Sequence, residues 1–327
     1  MPEDVSLSTV ASLAGVSIST VSRIVNGETR RASAATVARV LAAIDASGYR
    51  TNPVGRALRR RQTQVVAVLA ANLDNPVMAT IAASTEAALR EAGYVMILCD
   101  THDRAELQDE YLDAMRAQMV RGYVLIAAVP SPGLAELTET DTPIVFVNRR
   151  NPHGAGLFVG IDDRAAGIAC ADRLVAQGCG TLGVIAPRHR SSASSDRVAG
   201  FLSRLDEHGL SQEHIRVAEG EGRSHLDIGY DAAARIFEDG FRPDAILCVS
   251  DQIAYGAHRR ALEFGVRVPE ACTLLSIDGS PLNVWIAPWL TSIVIPYRRF
   301  GAEIVQGLTS LWTNAGTTEH LLPFDAG

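Results

Sequence analysis

From residue 65 onward the chain repeats one pattern: a short apolar run, a turn, then an amphipathic stretch of helical length. The runs at 65–70, 95–99, 123–127, 144–147 and 158–161 read as strands buried on both faces, with helical segments such as 79–92 and 105–120 between them. The alternation resumes with runs at 182–186, 215–218, 245–249 and 274–277. Parallel strands need a long crossover between them, usually a helix, so alternation of this kind implies doubly wound parallel sheets. About nine such strands exceed one ordinary sheet, and the predicted α/β body therefore has two similar lobes.

The first fifty residues follow a different rule. A helix from Ser8 to Ala14, with Val10, Leu13 and Ala14 apolar, ends at the turn Gly15-Val16. Ser17 is a natural N-cap for a second helix from Ile18 to Asn26, which Asn26-Gly27 stops. Ser33 caps a third helix whose Val37, Val40, Leu41 and Ile44 recur at helical spacing, and Gly48 ends it. Small residues (Ala11, Ala14) where two helices cross, a glycine at the turn and apolar Val21, Ile24 and Val25 locking the second helix are what a helix-turn-helix needs. The second helix then presents Ile18, Ser19 and Ser22, with Arg23 further along, to a major groove.

Charge supports that reading. The chain carries a net charge of -7, yet residues 1–63 hold nine arginines against four acids, which leaves the remainder at -12. A basic head on an acidic body suits a phosphate-binding module joined to a sensor. Every basic side chain is arginine, so Schiff-base and Walker-type lysine chemistry is excluded.

The run "VASLAGVSISTVSRIVNG" resembles the head of the LacI/GalR family of bacterial regulators almost position for position. A second block, "SGYRTNPVGRALRRR" (47–61), resembles that family's hinge. The resemblance implies DNA contacts from Ser17, Ile18, Ser19, Thr20, Ser22, Arg23 and Asn26 in the head, and from Asn52, Arg56, Leu58 and Arg59 in the hinge. Leu58 would wedge into the central minor-groove step of a pseudo-palindromic operator, with Arg59 beside it. Gly55 stands where the family usually has alanine, which costs a lone helix about 1 kcal/mol. Arg59-Arg60-Arg61 is unusually basic and should steepen the salt dependence of binding.

Looser resemblance covers most of the remainder, including "DRVAGF", "CVSDQIAYGAHRRALEFGVRVPE" and "SIDGSP". It implies a two-lobed domain like periplasmic sugar-binding proteins, with a ligand in the cleft. Open α/β sheets bind ligands at the carboxyl ends of their strands. Asn75, Arg149, Arg197, Asp251 and Asp278 fall there, and Trp285 is a candidate stacking wall. Carboxylates, a guanidinium and an aromatic face suit the vicinal hydroxyls of a sugar or polyol. Plainer roles compete with these: Asp251 and Asp163 as helix caps, Arg149 on the surface, Trp285 and Trp289 packed under Pro288. A nucleobase, a corepressor or a partner protein as effector, or a non-regulatory sugar-binding protein, remain alternatives. A cleft richer in aromatics than in acids would point to a nucleobase.

Other classes find little support. There is no G-x-S-x-G, H-E-x-x-H or Walker loop, so no enzyme is expected. The five scattered cysteines and eight histidines show no metal-ligand spacing, and no cofactor is expected. No apolar run approaches membrane length and no secretory signal is evident, which predicts a cytoplasmic protein. The predicted division is a head over 1–50, a hinge over 51–63 and an effector domain over 64–327. Its first lobe would comprise about 64–162 and 294–318, its second about 163–293 and 319–327. The chain ends at Gly327 without room for a leucine-heptad tail, so a homodimer on double-stranded operator DNA is expected.

Overall fold

The computed structural model describes residues 6–25, 27–49, 63–189, 191–316 and 318–326, in two compact units divided between Thr63 and Gln64. In the first unit, helices α1 (Leu7–Ala14) and α2 (Ile18–Val25) are bent by 105° across a three-residue break. Gly15 caps α1 in the left-handed region at φ 63°, where its N–H reaches the carbonyls of Ala11 and Ser12. The Ser17 hydroxyl accepts the Thr20 N–H at 3.2 Å, as a capping serine should. A third helix, α3 (Ala34–Ser47), begins on the Ser33 cap.

Val10, Val21 and Val40, one from each helix, are fully buried in the core of this unit. Leu13 and Leu41, read from spacing as part of the apolar faces, are instead exposed. The packed faces run through Val10, Ala11, Ala14, Val40 and Ala43, because small residues let short helices approach closely and leave no room for leucine.

The second unit contains two parallel sheets. Strands β1 (Val65–Ala70), β2 (Val95–Asp100), β3 (Gly122–Ile126), β4 (Ile144–Val147), β5 (Leu157–Gly160) and β11 (Glu319–Leu321) form one, in the order β11-β5-β4-β3-β1-β2. Strands β6 (Leu182–Pro187), β7 (Ile215–Gly220), β8 (Ala245–Cys248), β9 (Thr273–Asp278) and β10 (Leu290–Val294) form the other, in the order β10-β9-β8-β6-β7. Around the first sheet lie α4 (Pro76–Glu91), α5 (Ala105–Ala117), α6 (Pro132–Thr138) and α12 (Phe300–Thr313). The second carries α7 (Asp163–Ala176), α8 (Ser192–Glu207), α9 (His225–Phe237), α10 (Asp251–Glu263) and the short α11 (Asn283–Ile286).

Three expectations need correction. Residues 319–321 belong to the first lobe, where β11 pairs in parallel with β5, and Val294 ends β10 of the second sheet. A three-residue strand reading Glu-His-Leu has no apolar run by which sequence could place it. Beyond it the chain returns to the second lobe, with Asp325 bridging Val294. Strand β2 is not buried on both faces: it is an edge strand, with Val95 and Leu98 exposed.

Helices α7 and α8 cross at backbone contact. A Cβ on Gly167 would lie 2.0 Å from the Arg197 carbonyl oxygen, and one on Gly200 would lie 2.1 Å from that of Arg164. Neither neighbour can yield, since both are backbone atoms inside helices. Gly200→Ala should therefore cost about 3 kcal/mol of stability, at the upper end of overpacking, read from urea unfolding. Gly180→Ala, whose Cβ would meet nothing nearer than 3.9 Å, should stay within about 0.5 kcal/mol of wild type. Equal effects at the two positions would refute the packing argument.

Candidate functional site

The carboxyl ends of the strands bring charged side chains together at one end of each sheet. Arg197, in the first turns of α8, is only 5 % exposed. Its Nε donates to Asp163 Oδ1 at 2.7 Å, and its Nη1 donates to the Val249 carbonyl at 2.7 Å and the Ile277 carbonyl at 3.4 Å. Nη1 also lies 3.8 Å from Asp278 Oδ1. One guanidinium thus ties the start of α7 to the ends of β8 and β9, leaving Nη2 as its open donor among the described residues.

Asp251 and Asp278 adjoin this group. Asp278 Oδ2 accepts the Asp251 N–H at 3.0 Å, and its Oδ1 accepts the Tyr297 hydroxyl at 2.6 Å. The Asp251 carboxylate accepts from Ser276 Oγ, Ser292 Oγ, the Ser280 N–H and Asn283 Nδ2. The rival capping role falls to their neighbours: Ser250 caps α10 and Asp162 caps α7, so Asp251 and Asp163 turn inward.

Burial sets the electrostatics here. It works against the Arg197 charge, but Asp163, Tyr297 and Asp278 outweigh it and hold the guanidinium protonated. Asp163 is raised by burial, with Arg197 opposing. Asp278 is pushed up to about 7, first by burial and then by the Asp251 charge, while Arg197 and the hydrogen bonds it accepts pull the other way.

Arg149 joins the site from the first lobe, with Nη1 2.9 Å from Asp103 Oδ1 and 3.1 Å from the Ala127 carbonyl. His225, at the start of α9 in the second lobe, has Nδ1 3.1 Å from Ser250 Oγ. Burial and then Arg149 push its imidazole down to about 4, against Asp103, with Arg197 adding to the fall. The ring therefore feels charges from both lobes. Four non-glycine residues, His102, Asp103, Ala127 and Asn148, take positive φ where β2, β3 and β4 end. Such strain concentrates at functional sites.

Of the residues predicted to meet a ligand, Arg197, Asp251 and Asp278 form one network, and Arg149 shares with Arg197 an influence on the His225 ring. Asn75 is a helix cap, its Oδ1 accepting the Val77 N–H at 3.0 Å. Trp285 lies on α11 and is 82 % exposed. His225, Asp103 and Tyr297 were not singled out from sequence. His225 was findable from its place in the loop after β7, whereas nothing local marks Tyr297.

In the head, Ile18 and Ser19 are exposed and Arg23 Nε donates to the Ser19 carbonyl at 3.2 Å. Ser17 and Thr20 are joined within the cap at 2.9 Å, and Ser22 is half-buried. Asn26, Asn52, Arg56, Leu58 and Arg59 lie outside the described residues.

Residues 6–52 match the model "Bacterial regulatory proteins, lacI family", and residues 171–324 match "Periplasmic binding protein-like domain". The HTH-type transcriptional repressor PurR of Yersinia pestis is 30 % identical over 295 residues, covering 89 % of this chain and 86 % of the relative. The lac repressor dimer bound to operator and the anti-inducer ONPF superposes with a TM-score of 0.81 at 24 % identity, covering 99 % of this chain and 97 % of that one. The transcriptional regulator CelR in complex with cellobiose gives a TM-score of 0.69 at 26 % identity, covering 98 % and 99 %.

Arg197→Leu strands Asp163 in the interior without its partner and should cost about 3–5 kcal/mol. The double variant Arg197→Leu/Asp163→Leu should recover part of that loss, measured by urea unfolding. A single variant as stable as wild type would contradict the central role of this ion pair.

Proposed function

Because this chain belongs to the LacI family of bacterial regulatory proteins, we propose that it is a repressor whose grip on a pseudo-palindromic operator is set by a sugar or polyol held between its lobes. It is a DNA-binding transcriptional regulator with an effector domain, and not an enzyme.

The observation that carries the DNA half is the geometry of α2. Its capped start and buried Val21 and Ile24 fix the helix, while Ile18, Ser19 and Arg23 point away from the core. Arg23 is suited to guanine O6 and N7, and Ile18 to a thymine methyl. By resemblance, Asn52, Arg56, Leu58 and Arg59 form a hinge that reads the minor groove and bends the operator centre.

The effector half rests on the Arg197 cluster. Its side chains are carboxyl, guanidinium, imidazole and hydroxyl groups, and its tyrosines have their hydroxyls spent, buried Tyr297 on Asp278 and half-buried Tyr255 on Asn283. A cleft of this kind favours a polyhydroxyl ligand over a nucleobase, which would want a free aromatic face. The similarity to CelR, solved with cellobiose, points the same way.

A homodimer is supported by apolar surface. Leu73, Ala79, Ala83, Met96 and Leu98 line an open groove of about 460 Å³ on α4 and β2. Leu282, Val284, Trp285 and Ile286 form a second exposed patch. Contiguous exposed apolar side chains mark contact surfaces, and we assign both faces to the second copy. Effector binding shifts the lobes within that dimer and changes the placement of the two heads. To do so, the ligand must favour one state by a few kcal/mol, and operator must alter ligand affinity by the same factor.

Selection of random duplex DNA on the protein, with and without sugars, polyols and nucleobases, should return a pseudo-palindrome and the ligand that releases it. Recovery of no enriched sequence would end the regulator reading of this head. Arg23→Ala should weaken binding to the selected duplex by about 1–3 kcal/mol and relax preference at one position of each half-site. In sedimentation, the wild type should run as a dimer, and Leu98→Glu with Trp285→Ala should shift it to monomer. A monomeric wild type would remove both faces from the account.

A further inference from the structure

Three carboxyl groups, Asp163, Asp251 and Asp278, are buried around the buried guanidinium of Arg197. Their surroundings differ. Asp163 takes the Arg197 Nε at 2.7 Å. Asp251 has both oxygens filled by four neutral donors, from Ser276, Ser292, Ser280 and Asn283. Asp278 meets the guanidinium only at 3.8 Å, beyond hydrogen-bonding reach, and sits directly beside Asp251. Its own donors are two, the Asp251 N–H and the Tyr297 hydroxyl. Of the three, Asp278 is the carboxyl whose charge is least compensated, and two like charges so close in a poorly hydrated site do not both persist.

We propose that Asp278 is a proton-binding site at the base of the cleft, occupied in the ligand-free protein on the acid side of neutrality and emptied on the alkaline side. The titratable and charged groups facing it are Arg197 on α8, Asp163 on α7, Asp251 and Tyr255 on α10, Tyr297 on the crossover into α12, and His225 on α9 through Arg197. His225 is neutral across this range, being pushed down to about 4. The cleft thus offers a hydrogen-bond-donating acid at lower pH and an accepting carboxylate at higher pH. The same recess that reads the effector also reads pH. The effector half of that statement rests on the sugar or polyol reading above, whereas the proton site does not.

The pH dependence of stability has a defined sign. Asp278 is raised in the folded chain to about 7 from its ordinary 3.8. Its contribution is complete below the ordinary carboxylate range, declines as pH rises, and is gone above neutrality. Urea unfolding of the full chain between pH 4.5 and 8.5 tests this. The wild-type midpoint should fall relative to that of Asp278→Asn from the acid end up to about pH 7, then run parallel to it. Tyr297→Phe removes a donor to the charged form, so the levelling point should move to higher pH. Asp163→Asn frees Arg197 to serve Asp278 and should move it lower. Both of those variants retain Asp278, so the test stands even if Asp278→Asn fails to fold. Parallel wild-type and Asp278→Asn profiles over the whole range, or a levelling point that neither other variant moves, would overturn the proposal. Failure of every sugar and polyol to bind would overturn the effector reading while leaving this profile to decide the proton site.

Discussion

A guanidinium buried at the meeting of four elements is the interaction on which the rest of the cleft depends. Arg197 leaves α8 and reaches Asp163 on α7 and the carbonyls that end β8 and β9. Burying an unpaired charge is costly, so the group is stable only while all these partners are in place. That condition reaches back into packing. Gly167 has no side chain, and only for that reason can α7 lie against the Arg197 backbone. Two glycines on facing helices thus set the position of a charged atom at the strand ends.

The same cluster connects outward. Asp278 accepts the hydroxyl of Tyr297, whose own carbonyl accepts the Ser84 hydroxyl at 3.3 Å. Ser84 lies on α4, and its hydroxyl also accepts the Gly301 N–H at 3.2 Å. Tyr297 and Ser84 therefore link the cleft, through the crossover between lobes, to the helix that carries one of the apolar faces assigned to the second copy, with the Ser84 proton shared between the Tyr297 carbonyl and the Ile81 carbonyl at 2.9 Å. A change in the charge or contacts of Asp278 has a short physical route to that face. Asn283 gives a second route, since it joins Asp251 to the helix bearing Trp285.

Much of the fold was legible because its signals are local. Apolar runs of strand length separated by helical stretches give the doubly wound sheets, and Ser17, Ser33, Gly15 and Gly48 mark helix ends by their own backbone chemistry. Arg197, Asp251 and Asp278 were singled out by their match to the family's motifs, and Asp251 and Asp278 also lie at or just after strand ends, where open α/β sheets place ligands. Leu13 and Leu41 misled: both fit an apolar spacing, and the close crossing of alanines excluded them.

By itself, then, the sequence determined the element types, the head's helix-turn-helix with its exposed Ile18 and Ser19, the basic head on an acidic body, and the family. Each follows from the periodicity, capping or composition of neighbouring residues. Only the tertiary structure decided that β11 returns to the first sheet, that His225 meets the field of Arg149 and Asp103, and that Tyr297 closes on Asp278. It also decided which of three buried carboxyls has its charge least compensated. Those outcomes depend on distances between residues far apart in the chain, and burial and charge compensation act through space, not along the backbone.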